Sequence, residues 1–204
     1  MKKGTIILLS VVGVLLIIIF KVFSNSTATY DGAVAQQETV VASWANVEAT
    51  YQRRADLIPN LVSTVKGYAS HEKEVLLGVT EARSKVGQVS IDASKLNAKN
   101  IQKFQAAQSG LTQALSKLMV VMERYPDLKA NQNFLQLQAQ LEGTENRINV
   151  SRQRFNGDVK NYNIFIRGFW KKIYLGWWSE EGEFEKKGSF KADKGAEKAP
   201  KVQF

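Results

Sequence analysis

Cysteine is absent from the 204 residues, and histidine occurs once, at His71. The first absence excludes a disulfide framework, a cysteine-ligated zinc and a thiol nucleophile. It equally excludes a lipid-modified cysteine behind an N-terminal hydrophobic segment. The second leaves His71 without the HExxH spacing or the converging partners that a metal needs. Its setting, Tyr68-Ala69-Ser70-His71-Glu72-Lys73-Glu74, reads as a solvated helix surface. Neither a glycine-rich phosphate loop nor a Gly-x-Ser-x-Gly elbow occurs. Strict apolar–polar alternation, the mark of a half-buried strand, is found nowhere. No catalytic residue, metal ligand, cofactor-binding residue or cofactor is expected.

What is present begins with a long hydrophobic run. Lys2 and Lys3 precede Thr5 to Phe23, a stretch broken only by Ser10, Gly13 and Lys21. At about 1.5 Å of rise per residue it roughly matches the ~30 Å hydrocarbon thickness of a bilayer. The flank Val22-Phe23-Ser24-Asn25-Ser26 lacks an Ala-x-Ala cleavage site, which favours an uncleaved anchor over a signal peptide. After Lys21 no lysine or arginine follows until Arg53. The positive-inside rule therefore sets the N-terminus in the cytoplasm and the remainder of the chain outside it. The formal net charge is +9, with lysine concentrated near the anchor and toward the C-terminus. That distribution fits a basic membrane protein and not a nucleic-acid stripe, so no nucleic-acid partner is expected.

Beyond the anchor the spacing is helical. Val34, Val41, Trp44, Tyr51 and Ile58 recur at threes, fours and sevens, and Leu61, Val65, Tyr68, Val75, Val79 and Val86 extend the pattern. Pro59 interrupts it, and a kink or break is expected there. Gly87 to Ser94 reads as a turn. A second stripe comprises Ile101, Phe104, Leu111, Leu115, Leu118, Met122 and Tyr125, ending at Pro126-Asp127. A third comprises Phe134, Leu137, Leu141, Ile148, Phe155, Tyr162 and Phe169, with Thr144 and Ser151 on the same seam. The fold class is all-α: a transmembrane helix followed by an antiparallel bundle of long, coiled-coil-like helices. The division expected is a short tail at 1–4, the anchor at 5–23, a juxtamembrane connector at 24–32, the bundle at 33–178 and a loosely ordered charged tail at 179–204.

Three groups of side chains stand out. Arg53-Arg54-Ala55-Asp56-Leu57-Ile58-Pro59-Asn60 offers two arginines able to grip a carboxylate or phosphate in a bidentate way. The plainer reading gives Asp56 and Asn60 the amides freed around Pro59, with the arginines paired to carboxylates on a neighbouring helix. Glu72, Glu145, Arg147 and Asn163 are the other candidate interaction or structural positions. Trp170, Tyr174, Trp177 and Trp178 lie in an unusually aromatic segment beside Lys171 and Lys172, a composition suited equally to the headgroup zone of a membrane and to closing the bottom of the bundle.

Several of these residues form a recognisable pattern. Arg53-Arg54-x-Asp56-Leu57-Ile58-Pro59-Asn60-Leu61-Val62 and Val65-Lys66-Gly67-Tyr68-Ala69-x-His71-Glu72 resemble the LemA family of bacterial membrane proteins. So do Tyr125-Pro126-Asp127-Leu128-Lys129-Ala130-Asn131, Glu145-Asn146-Arg147-Ile148, Arg154-Phe155-Asn156 and Tyr162-Asn163. The similarity runs from about Tyr30 to Phe169. Where the family usually has Phe-Pro at the end of the last long helix, this chain has Phe169-Trp170. The resemblance implies a single-pass protein of the bacterial cell membrane with a long-helix bundle, and it implies no reaction. The expected function is a non-enzymatic scaffold or adaptor of the envelope that recruits a protein partner or a second copy of itself. The alternative is a small-ligand-binding protein or enzyme built on the Arg53–Asn60 kink together with Glu72.

Overall fold

The computed structural model describes residues 3–192. Its elements are α1 (Lys3–Tyr68), α2 (Lys73–Gly87), a 3-10 turn (Ala93–Lys95), α3 (Ala98–Met122), α4 (Pro126–Lys129), α5 (Gln132–Arg167) and α6 (Phe169–Trp178). No strand occurs among the described residues. Polar side chains set the helix starts. Oδ1 of Asn97 accepts from the Asn100 amide, and Oδ1 of Asn131 accepts from the Phe134 amide, each taking up a donor that has no partner in a first turn. Pro126 opens α4, where its missing N–H costs nothing. Gly168, extended at ψ 138°, separates α5 from α6.

α1 passes without interruption through the expected connector at 24–32. The hydroxyls of Ser26, Thr27 and Thr29 donate back to the carbonyls of Phe23, Ser24 and Asn25, so these polar residues are satisfied inside the helix and do not end it. Nor does Pro59 end it. Proline lacks the N–H that would reach the Ala55 carbonyl. Nε of Arg83, on α2, donates to that carbonyl at 2.9 Å in its place. Oδ1 of Asp56 accepts from Nε2 of Gln52 within the same helix, and the Asn60 backbone carbonyl accepts from the Thr64 hydroxyl.

From the far end of α1 the chain returns along α2, reverses into α3, reverses again through α4 and comes back along α5 beside α1. Two apolar clusters result. The one nearer the anchor centres on Trp44, whose ring meets Phe104 at 5.1 Å, Phe155 at 5.4 Å and Phe190 at 6.1 Å. Burying each such ring contributes roughly 1.5–3 kcal/mol. The distal cluster joins Ile58, Leu61 and Val65 of α1 to Leu111, Leu118 and Met122 of α3 and Phe134 and Leu141 of α5.

The third stripe lies as expected, with Phe134, Leu141, Thr144, Ile148, Phe155 and Tyr162 buried. Its last member does not: Phe169 is 74% exposed, because α5 stops at Arg167 and the helix that follows has its own direction. On α1 the seam is displaced by one residue at its start, with Ala33 and Val40 buried and Val34 exposed. Gly32 fixes that register, since a Cβ there would stand 2.7 Å from the Phe165 ring.

The expected loose tail at 179–204 is corrected over its described part. Phe190 lies in the core, and the segment before it is held extended across α3 and α5 by amide side chains. Asn163 grips both the N–H and the carbonyl of Lys187, and Asn156 does the same for Phe190. Gln105 does so for Lys191. The Gly188 amide donates to the Leu96 carbonyl at 2.7 Å. A Cβ at that position would fall 2.6 Å from the Ala98 backbone, so the strap passes only with glycine there. Residues 193–204, the remainder of the expected tail, lie outside the described residues.

Candidate functional site

The boundary between the two apolar clusters is polar, and Arg54 forms it. Its stem follows the α1 seam, one turn past Tyr51 and one before Ile58, so the guanidinium enters the bundle at 2% exposure. Nη1 donates to Oγ1 of Thr112 at 3.0 Å and to Oε2 of Glu145 at 3.1 Å. Nη2 donates to Oε1 of Gln108 at 2.6 Å, and the Tyr51 ring lies 5.1 Å from the guanidinium carbon. One side chain thus ties α1 to α3 and α5. Glu145 is about half exposed, so water screens its share of the ion pair. A cleft of about 440 Å³ opens beside the layer, lined among others by Arg54, Gln108, Glu145, Asn149 and Arg152. Burial raises the pKa of Tyr51 in its wall, against the opposing pull of Arg152 and Arg54.

Glu72 belongs elsewhere. It sits in the turn after α1, where Oε1 accepts from Nη2 of Arg124 at 2.9 Å and from the Tyr125 hydroxyl at 3.0 Å. The Asn131 amide reaches the Tyr68 hydroxyl at 2.9 Å alongside. These bonds clasp the α1–α2 turn to the α3–α4 connection. The bond to Glu72 chiefly raises the pKa of Tyr125. Tyr68 stands fourteen residues beyond Arg54 in the sequence, about 21 Å along α1 at 1.5 Å per residue. Glu72 and the Arg54 layer are therefore separate places. Arg53, Asp56, Pro59, Asn60 and Arg147 are exposed, and His71 is exposed as well. Asn163 holds the C-terminal strap. Among the described residues no group of three or more His, Asp or Glu side chains is arranged to hold a metal ion.

Gln108, Thr112, Arg83, Asn156 and Phe190 do as much in this arrangement as the residues singled out from sequence. A signal for one of them existed. Gln108 falls at core spacing between Phe104 and Leu111, as Arg54 does between Tyr51 and Ile58. A polar residue at core spacing on each of two stripes is the sequence mark of a buried polar layer.

The aromatic segment forms α6, which lies against α1 and the end of α5. Trp178 packs edge to face on Phe23 at 5.6 Å, and its indole N–H donates to Oγ of Ser26 at 3.0 Å. Tyr174 stands between Trp170 and Trp177 in one run of ring contacts that starts at Phe169. Among the described residues α1 is the one helix long and apolar enough to cross a membrane, and the bundle covers none of its most apolar stretch.

The sequence pattern of the LemA family matches residues 43–204. Protein LemA of Metamycoplasma hominis is 27% identical over 132 residues, 64% of this chain and 53% of that protein. Magnetosome protein MamQ of Magnetospirillum gryphiswaldense is 25% identical over 196 residues, covering 86% of this chain and 70% of the relative. Magnetosome protein MamQ 2 of Paramagnetospirillum magneticum is 26% identical over 190 residues, 85% and 69% of the two chains. The chain thus spans about half the length of the LemA relative and somewhat over two thirds of the magnetosome relatives.

Proposed function

The chain belongs to the LemA family, and from that premise we propose that it is a membrane-anchored, non-enzymatic scaffold or adaptor of the bacterial envelope. The observation that carries this reading is the continuity of α1. One helix of 66 residues is both the uncovered apolar segment and the spine on which the other helices pack. A bundle mounted in this way is held at a fixed height and rotation above the bilayer, which suits presenting a surface more than closing around a substrate. In this reading the N-terminus is cytoplasmic and the bundle extracytoplasmic, from the lysines ahead of the run.

Arg54, Gln108 and Glu145 act as a register pin, because a buried polar group tolerates only the alignment that satisfies it. Arg53 and Arg147, exposed on α1 and α5, are among the charged positions available to a partner. The rival reading joins the Arg53–Asn60 region to Glu72, and the separation of the two along α1 weighs against it. The magnetosome relatives are named for a setting and the LemA relative for none, so no single process is carried over to this chain.

The test is photo-crosslinking of the full chain in native membranes from exposed bundle positions such as Leu77, Val120, Leu135 and Val150. The expected outcome is the same adduct, with a partner or with a second copy, from several positions on one side of the bundle. Adducts with neither from any position would overturn the scaffold reading.

A further inference from the structure

The outer face of α6 has no protein cover. At 100° per residue, Phe169, Ile173 and Trp177 follow one another along one side, with Trp170 and Tyr174 beside them. Leu175 points the opposite way, into the bundle, and is buried. Phe169, Trp170, Ile173 and Trp177 are all exposed, with Trp170 at 64%. Adjacent rings from Phe169 through Trp177 lie 5.3–6.4 Å apart, so the exposed apolar surface is continuous. A soluble surface rarely leaves such a patch bare.

The height of α6 identifies what covers it. Phe23 is the last residue of the apolar run, and Ser24-Asn25-Ser26-Thr27 begins the polar stretch of α1. Trp178 touches both sides of that boundary, its ring on Phe23 and its N–H on Ser26. The C-terminal end of α6 is therefore set at the depth where α1 leaves the hydrocarbon, the zone that tryptophan and tyrosine favour because their rings are apolar and their polar tips remain wet.

We propose that α6 lies in the headgroup zone of the bilayer that α1 crosses, with Phe169, Trp170, Ile173 and Trp177 immersed, held by the rings and not by the lysines. The charges beside α6 supply the second half of that statement. Nζ of Lys171 sits 3.5 Å over the Phe165 ring and is turned to the bundle. Arg167, Lys172 and Lys186 share a cleft with Glu180, Glu181 and Glu185, three cations against three carboxylates. Within that cleft the charges balance, whereas the exposed rings gain from any bilayer interface. The inference rests on α1 spanning the membrane and not on the scaffold role.

The absence of cysteine makes the test direct. Full-length Trp170→Cys, Ile173→Cys and Trp177→Cys chains are spin-labelled in phosphatidylcholine vesicles, with Val120→Cys on the bundle and Leu15→Cys in the apolar run as references. The ratio of oxygen to water-soluble nickel-chelate accessibility is then read. At 170, 173 and 177 it should be several-fold above that at Val120, and adding phosphatidylglycerol should leave it unchanged. Nickel access at all three sites equal to that at Val120 overturns the proposal. So does immersion that appears only with phosphatidylglycerol, or spin–spin broadening between copies, which would make a second chain the occupant. A label at Leu15 that is itself open to nickel would show that α1 does not span, a failure distinguishable from that of α6 alone.

Discussion

Tyr162 is fully buried on the α5 seam, and its hydroxyl donates to Oε1 of Gln37 on α1 at 3.2 Å. Burial first, then Glu185 and Glu183, pushes its pKa up to about 12 from an ordinary 10.0. The folded state therefore holds this proton more tightly than the unfolded chain does. The stability so gained is complete below pH 10 and is lost as the pH rises through the folded value near 12. Over that window the loss amounts to about 2–3 kcal/mol. Chemical denaturation of the full chain in detergent between pH 9 and 12 should show stability falling, with a shallower fall for Tyr162→Phe. An identical slope in the variant would assign alkaline unfolding to other groups. Individual residues of this kind were unevenly legible in the sequence. Tyr162 could be placed in the core because it keeps step with Phe155 seven residues earlier. Between Arg53 and Arg54 the motif made no distinction, and only their position relative to Tyr51 and Ile58 decides which one enters the bundle.

Among the elements, α1 and α2 are joined by a backbone carbonyl as well as by apolar packing. Ala55 is 8% exposed, and its oxygen, left without a partner by Pro59, takes Nε of Arg83 instead. Replacing Arg83 with methionine should cost about 1–3 kcal/mol, the usual penalty for a buried acceptor left unmade. In a Pro59→Ala background the amide of residue 59 can serve the carbonyl, and most of that cost should vanish. A double-mutant cycle by equilibrium unfolding measures the coupling, and strictly additive costs would refute it. Long helices with one buried face were legible from spacing alone, which is why the α3 and α5 stripes lie largely where they were expected. The start of the α1 seam was not, because it is built from Ala33 and Ser43, residues too small or polar to mark a core by hydrophobicity. The C-terminal strap was hidden for a different reason. An extended segment gripped by Asn156, Asn163 and Gln105 has no period, and one phenylalanine in a lysine- and glycine-rich stretch carries no pattern.

The whole molecule is a spine with the uncovered apolar run at one end and the α1–α2 turn at the other. If the bundle is extracytoplasmic, a Val120→Cys chain in intact cells should react with a membrane-impermeant thiol reagent without permeabilisation. Labelling only after the membrane is opened would reverse the orientation and leave the fold unchanged. From Phe23 to Tyr68 the unbroken helix measures roughly 65–70 Å at 1.5 Å per residue. Membrane-spanning helices tilt to match the hydrocarbon thickness around them. On an arm of this length every ten degrees of tilt would sweep the α1–α2 turn sideways by about 12 Å, with the bilayer surface as the fulcrum. A change in bilayer thickness that tilted α1 by about ten degrees would then emerge at the far end as a displacement about as wide as a helix.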